Sequence, residues 1–100
     1  MENTVIKLNG HYTFNINGFS RNTSVQDGKL VSNAYVTLKE PDAEDLNTLR
    51  GLALYPITEM QLLVSDVEIY SQDQMAGRIT SIDESLGEDG KIRTTFYIYS

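Results

Sequence analysis

Apolar and polar residues alternate in two early stretches of the chain. Over 11–17, Tyr12, Phe14 and Ile16 interleave with Thr13, Asn15 and Asn17; over 30–39, Leu30, Ala34, Val36 and Leu38 interleave with Asn33, Thr37 and Lys39. A period of two with one apolar side marks a half-buried strand, because successive side chains point to opposite faces of a sheet. Between them lies GFSRNTSVQDGK, rich in turn formers, and its Asp27-Gly28 pair supplies the positive φ angles of a tight hairpin turn. The shorter run over 5–8 predicts a separate first strand, set off from the next by Asn9-Gly10.

Pro41 ends the second alternating stretch, since it has no amide donor for a ladder. The segment 42–51 then has the punctuation of a short helix: Asp42 to cap it, Glu44 and Asp45 in the first turn, Arg50 in the last and Gly51 after it. Leu46, Leu49 and Ala53 form its expected buried stripe. A helix this short draws its stability from packing on a sheet.

From Met60 the pattern returns to strand in three runs, 60–70, 76–85 and 91–99. The first is apolar on both sides, which predicts a central strand with Leu63 and Val67 in the core. The last two are joined by Gly87-Glu88-Asp89-Gly90, and that loop length sets Ile79 opposite Ile98, Ser81 opposite Phe96 and Glu84 opposite Arg93. Phe96 and Ile98 then face the core.

These elements define an α+β domain spanning 1–100: a five- to six-stranded antiparallel sheet, or a small partly open barrel, with one short helix between the N-terminal and C-terminal strand groups. The element order resembles that of the oligonucleotide-binding barrel, in which a helix falls between the third and fourth strands. That analogy implies an OB-like ligand or nucleic-acid binder, but element order alone does not license a function.

Composition narrows the chemistry. The 100 residues include no cysteine and one histidine, which removes disulfides, thiolate zinc sites, cysteine nucleophiles and any mechanism needing two imidazoles. No apolar run approaches the roughly 20 residues of a membrane span, and the start has no basic segment leading into an apolar one, so the expected location is cytoplasmic, away from membranes. In that setting the acceptor-like triplet Asn22-Thr23-Ser24 has no glycosylation to report.

The net charge of −6 is unevenly distributed. Residues 40–90 carry twelve acids against Arg50 and Arg78, a balance of −10, while the segments on either side carry +2 each. An acidic middle argues against binding the phosphate backbone of nucleic acids, for which clustered cations are needed.

Candidate chemistry is sparse. His11 stands beside Tyr12 and Thr13 without a nucleophile or orienting acid, and reads as a strand-end residue. Asp83, Glu84, Glu88 and Asp89 do not follow the calcium-loop spacing, and the hairpin accounts for them as turn and cross-strand residues. No phosphate-loop, dinucleotide, nucleophile-elbow or zinc-protease motif occurs. No cofactor, metal or enzymatic activity is therefore expected.

Two surfaces remain as candidates for contact with a protein partner. On the last strand Arg93, Thr95, Tyr97 and Tyr99 fall on the outward phase with Thr80 and Ile82 beside them, and tyrosine and arginine on an exposed sheet are the currency of interfaces. The second is the acidic helix start, Asp42, Glu44 and Asp45, which caps its helix and also presents charge to a basic partner. The expected function is a non-enzymatic protein–protein interaction module acting by stoichiometric binding, in character with a phage- or mobile-element-encoded inhibitor of a host system. The alternative is a structural subunit that self-associates through a sheet edge or the tyrosine face.

Overall fold

The computed structural model describes residues 3–73 and 76–99. Its elements are β1 (Thr4–Leu8), β2 (Tyr12–Gln26), β3 (Lys29–Leu38), α1 (Ala43–Leu52), β4 (Met60–Val64), β5 (Val67–Gln72), β6 (Arg78–Leu86) and β7 (Ile92–Tyr99). The strands form one seven-stranded sheet in the order β5-β4-β1-β2-β3-β7-β6, antiparallel throughout. The sheet is open, and it has more than the five to six strands expected.

The additional strand comes from splitting 60–70. Ser65 and Asp66 both take positive φ (50° and 67°), the two-residue geometry that matches strand twist, so the run folds back as the β4–β5 hairpin. The split reverses the expected core: Met60 and Leu62 are buried, Leu63 is half-buried, and Val67 is 64% exposed on the edge strand. Of these two strands β4, paired with both β1 and β5, is interior, and β5 is the edge.

The stretch rich in turn formers is also strand. β2 continues to Gln26 and pairs with β3 as far as Gln26–Lys29, with Asp27 and Gly28 (φ 52° and 77°) making the expected tight turn. A bulge between Ile16 and Gly18 bends β2 where its pairing with β1 has ended. Beyond the bend, β2 and β3 run on as an arm, flanked by β7 as far as Asn33 and two-stranded from Thr23 to Ser32, exposed on β2 from Asn22 onward.

The buried side of the bent sheet carries a single core: Ile6 and Leu8 of β1, Phe14 and Ile16 of β2, Val36 and Leu38 of β3, Met60 and Leu62 of β4, Ile79 of β6, and Phe96 and Ile98 of β7. Phe14 and Phe96 meet edge to face with ring centroids 6.4 Å apart. The two halves also meet at the open end of the core, where Phe19 of β2 lies against Tyr70 of β5 at 6.1 Å and Arg21 donates a hydrogen bond to the Tyr70 hydroxyl.

Helix α1 covers this inner side with Leu49 and Leu52, while Leu46 is only half-buried and Ala53 packs at the margin. Its start is a full capping box: Asp42 Oδ1 accepts from the Asp45 amide at 2.8 Å, and Asp45 Oδ2 accepts from the Asp42 amide at 3.3 Å. Gly51 lies within the helix, and Ala53 forms the C-cap. The loop after it is tied down by Asn9, whose Oδ1 accepts from the Thr58 amide (2.8 Å) and hydroxyl (3.1 Å) and whose amide donates to Pro56 O (3.2 Å). Asn9 (φ 53°) thus both turns β1 into β2 and anchors a loop far away in sequence. Among the described residues no helix is long and apolar enough to cross a membrane.

Candidate functional site: the outer face of the β2–β3–β7–β6 sheet

The period of two that buries Ala34, Val36, Phe96 and Ile98 turns their neighbours to the opposite side of the sheet. Register aligns them in rows across four strands: Gly18, Thr37, Thr95 and Asp83; then Ser20, Tyr35, Tyr97 and Ser81; then Asn22, Asn33, Tyr99 and Arg78. At the centre Tyr35 and Tyr97 stand directly opposite each other, rings edge to face at 5.3 Å. Thr37 and Thr95 share a hydroxyl contact at 3.4 Å in the next row. A shallow hollow of about 480 Å³ lies against this centre, lined by uncharged groups that include Ser20, Asn22, Asn33, Thr80 and both central tyrosines.

Of the expected contact residues, Tyr97 and Tyr99 belong to this face, and Tyr99 is 44% exposed. Arg93 has the same outward phase but lies at the far end of β7, lining a different groove with Lys39, Glu40, Asp89 and Lys91. Ile82 does not join them. A bulge between Ile79 and Ser81 moves the β6 register by one position, so Ile82 stands opposite Phe96 and packs against the core, while Ser81 meets Tyr97. The same shift sets Glu84 opposite Thr94, not Arg93, and the Glu84 carboxylate is taken by Arg50 of α1 at 3.1 Å.

The acidic helix start lies elsewhere. Asp42, Glu44 and Asp45 belong to the helix that covers the inner side of the sheet, whereas the tyrosines occupy the outer side. Asp42 and Asp45 are engaged with each other's backbone, which leaves Glu44 as the exposed acid of the three without a capping duty.

The residues that sequence reasoning missed are Tyr35, Asn22 and Asn33. Tyr35 sits on the polar phase of an otherwise clean alternation, a signal that could have marked it as an outward aromatic. Asn22 was hidden in a stretch whose composition suggested a loop.

Chemically, the centre of the face offers hydroxyls, amides and aromatic edges, groups suited to contact and hydrogen bonding, with Asp83 and Arg78 at its β6 margin. His11 is remote from it, in the β1–β2 turn beside Tyr12 at a ring separation of 6.3 Å. In the groove near Arg93, Lys91 Nζ donates to Glu40 Oε1 at 3.1 Å. That hydrogen bond, with the charges of Glu40 and then Asp89, raises the Lys91 ammonium above its ordinary pKa of 10.5. No protein-family model matches the chain, and no curated protein matches it.

Proposed function

We propose that this chain is a non-enzymatic protein–protein interaction module that acts by stoichiometric binding, with the outer face around Tyr35 and Tyr97 as its contact surface. The carrying observation is the composition of that face. Three tyrosines are flanked by Ser20, Ser81, Asn22, Asn33, Thr37 and Thr95, the mixture that antibody paratopes use because tyrosine buries large area at low entropic cost while small polar side chains adapt their hydrogen bonds. The sheet beneath holds these groups in fixed register, so little ordering is required when a partner docks.

The experiment is capture of a protein partner on immobilised chain, followed by affinity measurement on Tyr97→Ala, Tyr99→Ala and the pair. Binding should weaken about 30-fold for a central anchor, the size expected of a hot spot. Circular dichroism and thermal melting establish that the variants remain folded. Unchanged affinity in folded variants would move the contact surface away from this face.

A further inference from the structure

We propose that two copies of this chain pair through the outer half of β2, edge to edge and antiparallel, about a two-fold axis at Asn22. The proposal does not rest on the tyrosine face.

β1 covers the edge of β2 only over 12–15, and among the described residues no backbone partner follows on that side from Gly18 to Gln26. An unpaired strand edge is a template for another strand, and proteins guard such edges with charge, proline or bulges. The two outermost strands of the sheet are guarded. β5 is short, carries Glu68 and lies between Asp66 and Asp73, while β6 carries Arg78, Asp83 and Glu84 and a bulge. Within β2 the only charge is Arg21, and its guanidinium is turned inward to Tyr70.

Register selects the occupant. With the axis at Asn22, Phe19 faces Val25 of the second copy on the inner side and Ser20 faces its Ser24 on the outer side. Arg21 faces Thr23, and the two Asn22 amides face each other. Apolar then meets apolar and polar meets polar on a common side of the sheet, with no like charges opposed. Moving the axis to position 21 sets two arginines opposite each other, and moving it to 23 sets Phe19 against Asp27. Charge points to the same place: residues 18–32 balance to +1, whereas 40–90 balance to −10, so the arm is where two acidic molecules approach with least repulsion.

The absence of cysteine makes the test direct. Sedimentation or light scattering of the native chain should give twice the 11.2 kDa mass of one copy, falling toward one copy on dilution. Asn22→Lys and Asn22→Asp should each be monomeric, and mixing them should restore a dimer, because the axis sets the two substituted positions face to face. Under mild oxidation Asn22→Cys should crosslink to a dimer, and Ser20→Cys should not, since only position 22 meets itself within disulfide reach. A native chain that stays monomeric at high concentration overturns the proposal, as does a dimer that Asn22→Lys leaves intact.

Discussion

Arg21 on β2 donates a hydrogen bond to the hydroxyl of Tyr70 on β5, although β4 and β1 lie between the two strands in the sheet. The contact is possible only because the sheet bends at the Ile16–Gly18 bulge, which brings its first edge over the inner side of the arm. Tyr70 also donates to Gln72 Oε1 at 3.2 Å, so the latch ends on its own strand. Tyr70→Phe should cost about 1–2 kcal/mol, the range for a hydrogen bond to a charged donor reduced by partial exposure. Amide exchange should accelerate on β5 more than on β3. Equal acceleration on both would mean that Tyr70 acts through global stability alone.

Phe96 is fully buried, between Val36 and Ile82 in the register and against the ring of Phe14. Phe96→Ala should cost about 3–5 kcal/mol in a urea melt, the combined loss of transfer energy and of a filled cavity. A change within about 0.5 kcal/mol, the range of ordinary surface substitutions, would contradict its position in the core.

Thr94 lies on the same strand face with no exposed surface, and its hydroxyl has no hydrogen-bond partner among the described residues. An unpaired buried hydroxyl costs free energy, so Thr94→Val should be neutral or stabilising by up to about 1–2 kcal/mol. Clear destabilisation in the same urea assay would show that the hydroxyl is satisfied in solution.

The capping box makes a graded prediction. Asp42→Ala should cost about 1 kcal/mol, while Asp42→Asn, which keeps an acceptor for the Asp45 amide, should cost less. Equal losses by thermal denaturation would assign the effect to charge instead of the cap.

Lys91 adds a small alkaline dependence to stability. Because pairing with Glu40 raises its pKa in the folded state, its contribution is fully present below 10.5 and is lost as pH rises through the higher folded value. Both side chains are well exposed, so the effect at neutral pH is small. Lys91→Met should flatten the decline in melting temperature above pH 10.5 without moving the neutral value. An identical alkaline profile in the variant would rule the pair out as its source.

Much of this fold is legible where local chemistry is strong. Asp27-Gly28 announces its hairpin, Asp42 through Arg50 announces its helix, and the alternation around Phe14, Val36 and Phe96 announces one face of the sheet. Ser65-Asp66 gives no such signal, since neither residue is glycine, and the apolar flanks on either side read as one continuous strand. From Asn22 onward β2 is equally silent: exposed on both faces, it needs no apolar period and takes its strand geometry from pairing with β3. The bulge at Ile79–Ser81 left no mark in the pattern either, and it alone moved Ile82 from the tyrosine face to the core.

The strand order carries a consequence for how the chain assembles. β1, β2 and β3 form a meander of neighbours, and the β4–β5 and β6–β7 hairpins attach to its opposite edges through β1–β4 and β3–β7. Hairpins between sequence neighbours close in about 1–10 μs, whereas the two attachments must first close long loops. Folding speed is therefore governed by two docking events onto a central template, and until each hairpin arrives one flank of that template stays open to pairing with the wrong strand.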